Sequence, residues 1–336
     1  ANTDRDSYYG PGNDPLKAYG KTTDLTAMGG AQYVHTFDKC FFMPSDLTAG
    51  LEYNRDRLKD NMWGYNRHTD QTVNIYSAFL QNEWKNDRWG ILIGGRLDKH
   101  NMVDNVIFSP RANLRFNPTQ NINLRLSYSS GFRAPQAFDE DMHIENVGGT
   151  VAMIERAKDL KEEKSQSFSV SADMYHRFGA FQTNLLIEGF YTRLTDVFVL
   201  GKPYDRGDGI LVKTRSNGPG AKVMGLTLEG KVAYLSIRQI QAGLTLQRSR
   251  YDEPHKWHDD APAEKKIFRT PDTYGYFTAT CTPIKPLSIA LSGTYTGRML
   301  VQRMDITAEN AELGKMPERK AEAIRTPRFF DLGVKL

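Results

Sequence analysis

Apolar and polar residues alternate along most of this chain with a period of two. From Asn121 to Phe132, Ile122, Leu124, Leu126 and Tyr128 fall on one side of an extended strand, with Asn121, Asn123, Arg125 and Ser127 on the other. Met224, Leu226, Leu228, Val232 and Tyr234 stand against Thr227, Glu229 and Lys231 in the same way. So do Ile240, Ala242, Leu244 and Leu246 against Gln239, Gln241, Thr245 and Gln247, and Leu287, Ile289, Leu291 and Tyr295 against Ser288, Ala290, Ser292 and Thr294. The pattern predicts an all-β chain of about thirteen strands, at 22–37, 46–58, 71–84, 88–101, 106–116, 121–132, 164–178, 181–200, 221–234, 238–252, 270–282, 287–301 and 327–336. Most exceed the ~5–6 residues of an ordinary strand, whereas a tilted crossing of a bilayer takes ~9–11.

The connections alternate in length. Short ones fall at 85–87, 117–120, 178–180, 235–237 and 283–286, with 38–45 slightly longer. Long ones fall between them at 59–70, 133–163, 201–220, 253–269 and 302–326, and only 102–105 is brief. Hairpin turns at one end and long loops at the other describe an antiparallel transmembrane β-barrel. Aromatic residues agree: Trp84 and Trp89 flank a short turn, while Tyr128, Phe132, Tyr191 and Tyr295 sit towards the long-loop ends, as two interfacial girdles require.

Composition removes the main competitor. No run approaches the ~18 apolar residues of a membrane helix. Hydrophobic residues make up only 39% and aromatics 11%, which suits strands that show lipid at every second side chain. A propeller would repeat every ~40–50 residues, and no such repeat is present. Forty-four basic and 40 acidic residues give a net charge of +4 without a block of like charge, so there is no footprint for nucleic acid. Cys40 and Cys281 have neither redox nor zinc-ligand spacing. Neither a GxSxG elbow nor an HExxH helix occurs, and an enzyme is not expected.

The segment Ser127 to Ile144 (SYSSGFRAPQAFDEDMHI) carries a resemblance. With SPRANLR at 109–115, FMPSDLTAG at 42–50 and RLD at 96–98, it resembles TonB-dependent outer-membrane receptors, in which a GFRAP turn, here Gly131, Phe132, Arg133, Ala134 and Pro135, opens a long loop at the outer end of a strand. The resemblance implies an integral protein of the bacterial outer membrane that takes up a scarce large nutrient by active transport. Ferric siderophore, haem and cobalamin are the implied cargoes, the siderophore and cobalamin branch being favoured over glycan importers. Such receptors have a barrel of about 22 strands around an N-terminal plug, with a box that contacts the TonB complex. The chain as a whole, 1–336, is expected to be the C-terminal portion of such a barrel, about strands 10 to 22. Plug, TonB box and signal peptide are expected outside it. Partners implied are outer-membrane lipid, the plug, TonB, an extracellular ligand and a surface lipoprotein. A passive porin is the alternative.

Ligand contacts are expected in the long loops, where aromatic and basic side chains stack on or pair with a large anionic ligand. The candidates are Trp63, Tyr65, His68, Tyr204, Arg206, His255, Trp257, His258 and Arg303. Asp139, Glu140 and Asp141 offer oxygen ligands for a loop calcium, no other cofactor being expected. Glu52, Arg96, Arg125, Glu188, Glu229 and Lys231 are expected to line a wet interior, because a basic side chain at mid-bilayer costs ~2–4 kcal/mol.

Overall fold

The computed structural model describes residues 1–8, 19–63, 67–137, 152–202, 204–207, 211–235, 237–257, 261–284, 286–306 and 319–336. They form twenty-one strands: β1 (Asn2–Tyr8), β2 (Tyr19–Cys40), β3 (Met43–Met62), β4 (Arg67–Lys85), β5 (Trp89–His100), β6 (Ile107–Thr119), β7 (Ile122–Arg133), β8 (Ala152–Arg156), β9 (Glu163–Phe178), β10 (Phe181–Thr195), β11 (Phe198–Leu200), β12 (Tyr204–Asp205), β13 (Leu211–Asn217), β14 (Ala221–Tyr234), β15 (Arg238–His255), β16 (Glu264–Lys266), β17 (Thr273–Ile284), β18 (Leu287–Thr296), β19 (Leu300–Ile306), β20 (Arg319–Arg325) and β21 (Phe329–Lys335).

One antiparallel sheet runs β1-β2-β3-β4-β5-β6-β7-β9-β10-β14-β15-β17-β18-β21, with β16 beside β15. Among the described residues β1 and β21 do not pair with each other, so the sheet is an open arc with two edges. The remaining strands belong to the long loops. Strands β11, β12 and β8 gather on β13, with β8 running parallel to it, and β19 pairs with β20.

Register makes the two faces explicit. Ile187 lies opposite Leu228, Leu228 opposite Leu244 and Leu244 opposite Gly275, a row of small and apolar groups across four strands. One residue along, Glu188 lies opposite Thr227, Thr227 opposite Thr245 and Thr245 opposite Tyr274. The apolar face is the exposed one, Leu226, Leu228 and Leu246 among it, while Thr245 and Ser249 on the reverse are buried. That inversion of the soluble pattern is what lipid contact requires.

The polar face is internally bonded. Arg96 donates to Glu52 at 3.0 Å, to Asp98 at 2.8 Å and to Ser77 at 2.7 Å. Gln241 donates to Glu229 at 2.8 Å, and the Tyr276 hydroxyl donates to the other oxygen of that carboxylate at 2.6 Å. Glu52, Arg96, Arg125, Glu188, Glu229 and Lys231 all share this face by register. Two glycines on it sit directly under rings: a Cβ on Gly50 would lie 2.3 Å from Phe79, and one on Gly243 would lie 2.6 Å from Tyr276.

Aromatic rows bound the apolar band. At the short-turn end Phe42 stacks on Trp84 at 5.7 Å, Trp89 on Phe116 at 4.3 Å, and Phe178 on Phe181 at 5.7 Å. At the other end Tyr53 meets Tyr76 at 4.9 Å and Tyr128 meets Phe168 at 4.8 Å. From Phe181 to Tyr191 is about 33 Å along the strand, or about 25 Å of height at ~40° tilt, which matches the apolar band of an outer-membrane barrel.

All thirteen expected strands are present, with corrections at their ends. Residues 1–21, expected as loop, contain β1, which pairs with the outer part of β2 from Asn2 against Leu25 to Tyr8 against Tyr19. The expected loop 59–70 is largely strand, because β3 and β4 stay paired out to Met62 and Arg67. The expected strand 181–200 breaks into β10 and β11 at Asp196, whose φ of 54° cannot continue a ladder. The expected strand 287–301 divides into β18 and β19. Phe132 does not join a girdle but packs on buried Val103, Ile107 and Ala134.

The face assignment predicts that Leu228→Arg, on the exposed apolar face midway between the girdles, costs about 2–4 kcal/mol in urea unfolding from lipid vesicles. Ser171→Arg, on the polar face, is expected to cost much less. Equal losses at the two positions would contradict the assignment.

Candidate functional site

The outer end of β7 organises the loops above it. Gly131, Phe132 and Arg133 complete the strand, and the chain then turns inward so that Ala134 and Pro135 are buried. Arg133 lies opposite Glu163 in register, and its guanidinium sits 5.6 Å over the Phe198 ring. Glu163 in turn accepts the Phe198 amide at 3.0 Å, tying β7, β9 and β11 together.

Buried Gln71, on β4, captures the segment that follows. Its side-chain oxygen accepts the Ala137 amide at 2.7 Å, and its nitrogen donates to the Ala137 carbonyl at 3.4 Å. Arg156 of β8 donates both to that Gln71 oxygen at 3.0 Å and to the Pro135 carbonyl at 2.9 Å. His100, fully buried at the end of β5, accepts the Met102 amide on Nδ1 at 3.0 Å. Its Nε2 therefore carries the proton and donates to Gln136 at 3.2 Å. Burial, partly opposed by that bond, holds the His100 pKa below the usual range.

These contacts leave a cleft of about 590 Å³ between the outer end of β4, the turn at Pro135 and Ala137, and β8. His68, Arg67, Arg156, Lys158 and Arg206 line it, with Glu155 as its acidic member. Arg206 pairs with Glu155 at 3.4 Å. Arg67 is held by buried Asp60 at 2.7 Å, and Thr22 donates to the second Asp60 oxygen at 2.7 Å. Among the described residues basic groups thus outnumber acidic ones in a recess whose wall is fixed by Gln71 and the Pro135 turn. Such a recess suits an anion.

Of the expected ligand residues, the structure brings His68 and Arg206 together in this cleft. His68 is fixed by Asn61 at 2.9 Å. Trp63 stands at the tip of the β3 to β4 connection, stacked on Tyr19 at 5.3 Å. Tyr204 is exposed on β12, opposite Val212. His255 ends β15 beside Tyr251 at 5.7 Å, and burial lowers its pKa. Trp257 meets Phe268 edge-on at 6.5 Å. Arg303 lies opposite Glu322 in the β19 and β20 pair. Tyr65, His258, Asp139, Glu140 and Asp141 lie outside the described residues. Among the described residues no group of three or more His, Cys, Asp or Glu is placed to hold a metal.

Sequence reading missed Gln71, His100 and Arg156. A lone Gln or His on an alternating strand looks like any other polar position, and Arg156 is recruited only by the parallel pairing of β8 with β13. On the inner face, level with outward-facing Arg55 and Arg57 and so above the apolar band, Asp24 and Asp56 also come together. Burial first, and the Asp24 carboxyl second, push the Asp56 pKa up to about 6.

The family model described as "TonB dependent receptor-like, beta-barrel" matches residues 1–309. The chain belongs to this family. Its members are receptors and transporters, and the strands accordingly cross the bacterial outer membrane. A search of curated proteins found no match. Among solved structures, the chain is similar to the siderophore receptor PirA from Acinetobacter baumannii, at 15% identity over 99% of this chain and 52% of that one, with a TM-score of 0.65. It is similar to the FrpB iron transporter from Neisseria meningitidis at 14% identity over 94% and 48%, TM-score 0.62. It is also similar to a mutant of the ferric enterobactin receptor PfeA from Pseudomonas aeruginosa, in complex with enterobactin, at 17% over 99% and 50%, TM-score 0.67. At these identities the likeness establishes the fold. The chain spans about half the length of the solved receptors it matches.

Gln71→Ala removes three hydrogen bonds from a buried hub and is expected to cost about 1–3 kcal/mol. Faster proteolysis within residues 134–162, with the strands still protected, is the readout; unchanged cleavage would contradict the hub. Acidification tests His100. Its folded pKa is lowered, so the unfolded chain binds more protons below the ordinary value of ~6.5, and stability falls as pH drops through that window. The protection factor of the Ala137 amide, its exchange rate measured against the intrinsic rate at each pH, should fall between about pH 6.5 and 5, and His100→Gln should flatten that response.

Proposed function

We propose that this chain is the C-terminal part of the barrel of an outer-membrane receptor that takes up a large, scarce anionic nutrient, a ferric siderophore foremost, with energy delivered through TonB. Family membership and siderophore and iron receptors among the structural neighbours support the reading. The observation that carries it for this chain is the cleft lined by Arg156, Lys158 and Arg206, with His68 beside them, at the long-loop end. Ligand arriving from outside meets basic side chains at the mouth. The bonded polar face around Glu52, Arg96 and Glu229 then supplies a wet, charged wall for a plug and for cargo moving inward.

The division of labour follows from chemistry. Guanidinium forks pair with carboxylate or catecholate oxygens through charge-assisted hydrogen bonds, and the positive field draws an anion from solution. A passive porin, which the strand alternation alone allows, is disfavoured by the family match.

In the intact receptor, Arg156→Gln with Arg206→Gln should weaken binding of an anionic ferric siderophore at least about tenfold, the loss expected for even one of the two charge-assisted contacts. Growth on that siderophore under iron limitation should slow in parallel. Wild-type affinity in the double variant would remove the cleft from the recognition site. Uptake that persists without TonB would overturn active transport.

A further inference from the structure

Every residue from Met153 through Lys158, in β8 and the link after it, lines the cleft. A strand turns alternate side chains to opposite faces, so a cavity lying on one face is lined by every second residue. A cavity lined by each residue in turn runs along the strand's edge. At strand rise this stretch is about 17 Å long, the reach of an extended segment of about five residues.

The pairing pattern identifies the edge. β8 runs parallel to β13, with Ile154 opposite Lys213 and Arg156 opposite Arg215, and the Ala157 amide donates to the Arg215 carbonyl at 2.8 Å. Both backbone groups of a strand residue point to the same side, and successive residues alternate. Met153, Glu155 and Ala157 therefore serve β13, and Ile154 turns its N–H and C=O the other way. Among the described residues no strand pairs with that side of β8. An edge of this kind is a template for one more strand. Across the cleft β4 has lost its own neighbour. Its pairing with β5 stops at Ile75 opposite His100, where the Asn101 side chain closes the ladder by accepting the Asn74 amide at 2.9 Å and donating to the Thr72 carbonyl at 2.8 Å. Beyond that point Arg67, His68 and Thr69 of β4 form the opposing wall.

Side chains set the chemistry of the occupant. Met153 and Glu155 fall on one face of β8, and Ile154 and Arg156 on the other. Arg156 and Lys158 are exposed, whereas Met153 is buried. Glu155 is answered by Arg206 at 3.4 Å, so Arg156 and Lys158 set the sign of the recess. A strand laid along this edge meets cations on one of its faces and an apolar thioether on the other. Alternating acidic and apolar side chains match that surface.

We propose that the cleft takes an extended acidic peptide of about five residues by strand addition to the open edge of β8. Main-chain hydrogen bonds to Ile154 give the affinity, and the acidic side chains, directed at Arg156 and Lys158, give the selectivity. The inference rests on the reading of this cleft as the binding site and adds what its occupant must carry: a peptide backbone as well as negative charge.

The test is fluorescence anisotropy on the intact receptor in detergent, with a labelled, end-blocked pentapeptide in which glutamate alternates with valine. Two relatives serve as controls: the same peptide methylated at every backbone nitrogen, and a counterpart with lysine in place of glutamate. The glutamate peptide should bind at least about tenfold more tightly than either. Equal binding of the methylated peptide overturns strand addition, and equal binding of the lysine peptide overturns the acidic preference. Ile154→Pro removes the edge N–H but no bond to β13, and should abolish the difference between the plain and methylated peptides. Ile154→Ala keeps that N–H and should preserve the difference; a difference that survives Ile154→Pro would place the peptide elsewhere and overturn the proposal. The two readings of the cleft fail separately. Peptide binding as described, with no ferric siderophore bound, would count against the proposed cargo and leave the strand site standing. Siderophore binding weakened by Arg156→Gln with Arg206→Gln, with no discrimination among the peptides, would keep the cleft and remove strand addition.

Discussion

Hydrocarbon offers no hydrogen bonds, and every backbone amide and carbonyl that crosses it must find a partner in a neighbouring strand. That single demand sets the architecture. It requires long ladders without interruption, and the structure has them: β2 and β3 stay in register from Gly20 against Met62 to Phe37 against Ser45. It requires side chains to sort by face, since alternate residues point to lipid and to the interior. It also requires that irregular backbone be moved out of the bilayer, and the positive-φ residues Phe41, Asp196, Leu235 and Arg269 all lie at turns or in loops.

The charged interior follows from the same constraint. A guanidinium facing lipid is expelled, whereas Arg96 facing inward can be surrounded by Glu52, Ser77 and Asp98. Each partner satisfies the other, so this cluster holds its charges on the inner face at little cost. The loops obey different rules, because water is available to them. There a few side chains, Gln71, His100 and Arg156, hold backbone in a fixed path and leave a basic recess whose shape does not depend on strand pairing.

This difference explains what the sequence revealed. Alternation, a two-state pattern repeated over a dozen or more residues, located every long strand of the barrel wall from β2 onward and assigned faces to residues such as Leu226 and Glu229. It missed β1, whose stretch from Asn2 to Tyr8 is mainly polar and has no apolar face to signal it. It underestimated β3 and β4, since above the bilayer both faces are polar and the alternation fades although the ladder continues. The recess was half legible. His68 and Arg206 were found as basic loop residues, but nothing in the chain announces that β8 pairs with β13 or that Gln71 reaches across to Ala137.

The account's central claim is that one face of these strands meets lipid and the other meets water. Spin labels placed singly from Leu185 to Arg193 in the intact receptor, with Cys40 and Cys281 replaced by serine, test it in reconstituted bilayers. Oxygen accessibility should peak at 185, 187, 189 and 191, accessibility to a water-soluble nickel chelate should peak at 186, 188, 190 and 192, and the pattern should change to aqueous at 193. Accessibility that does not alternate, or that peaks in the opposite phase, would contradict the assignment of faces on which the fold rests.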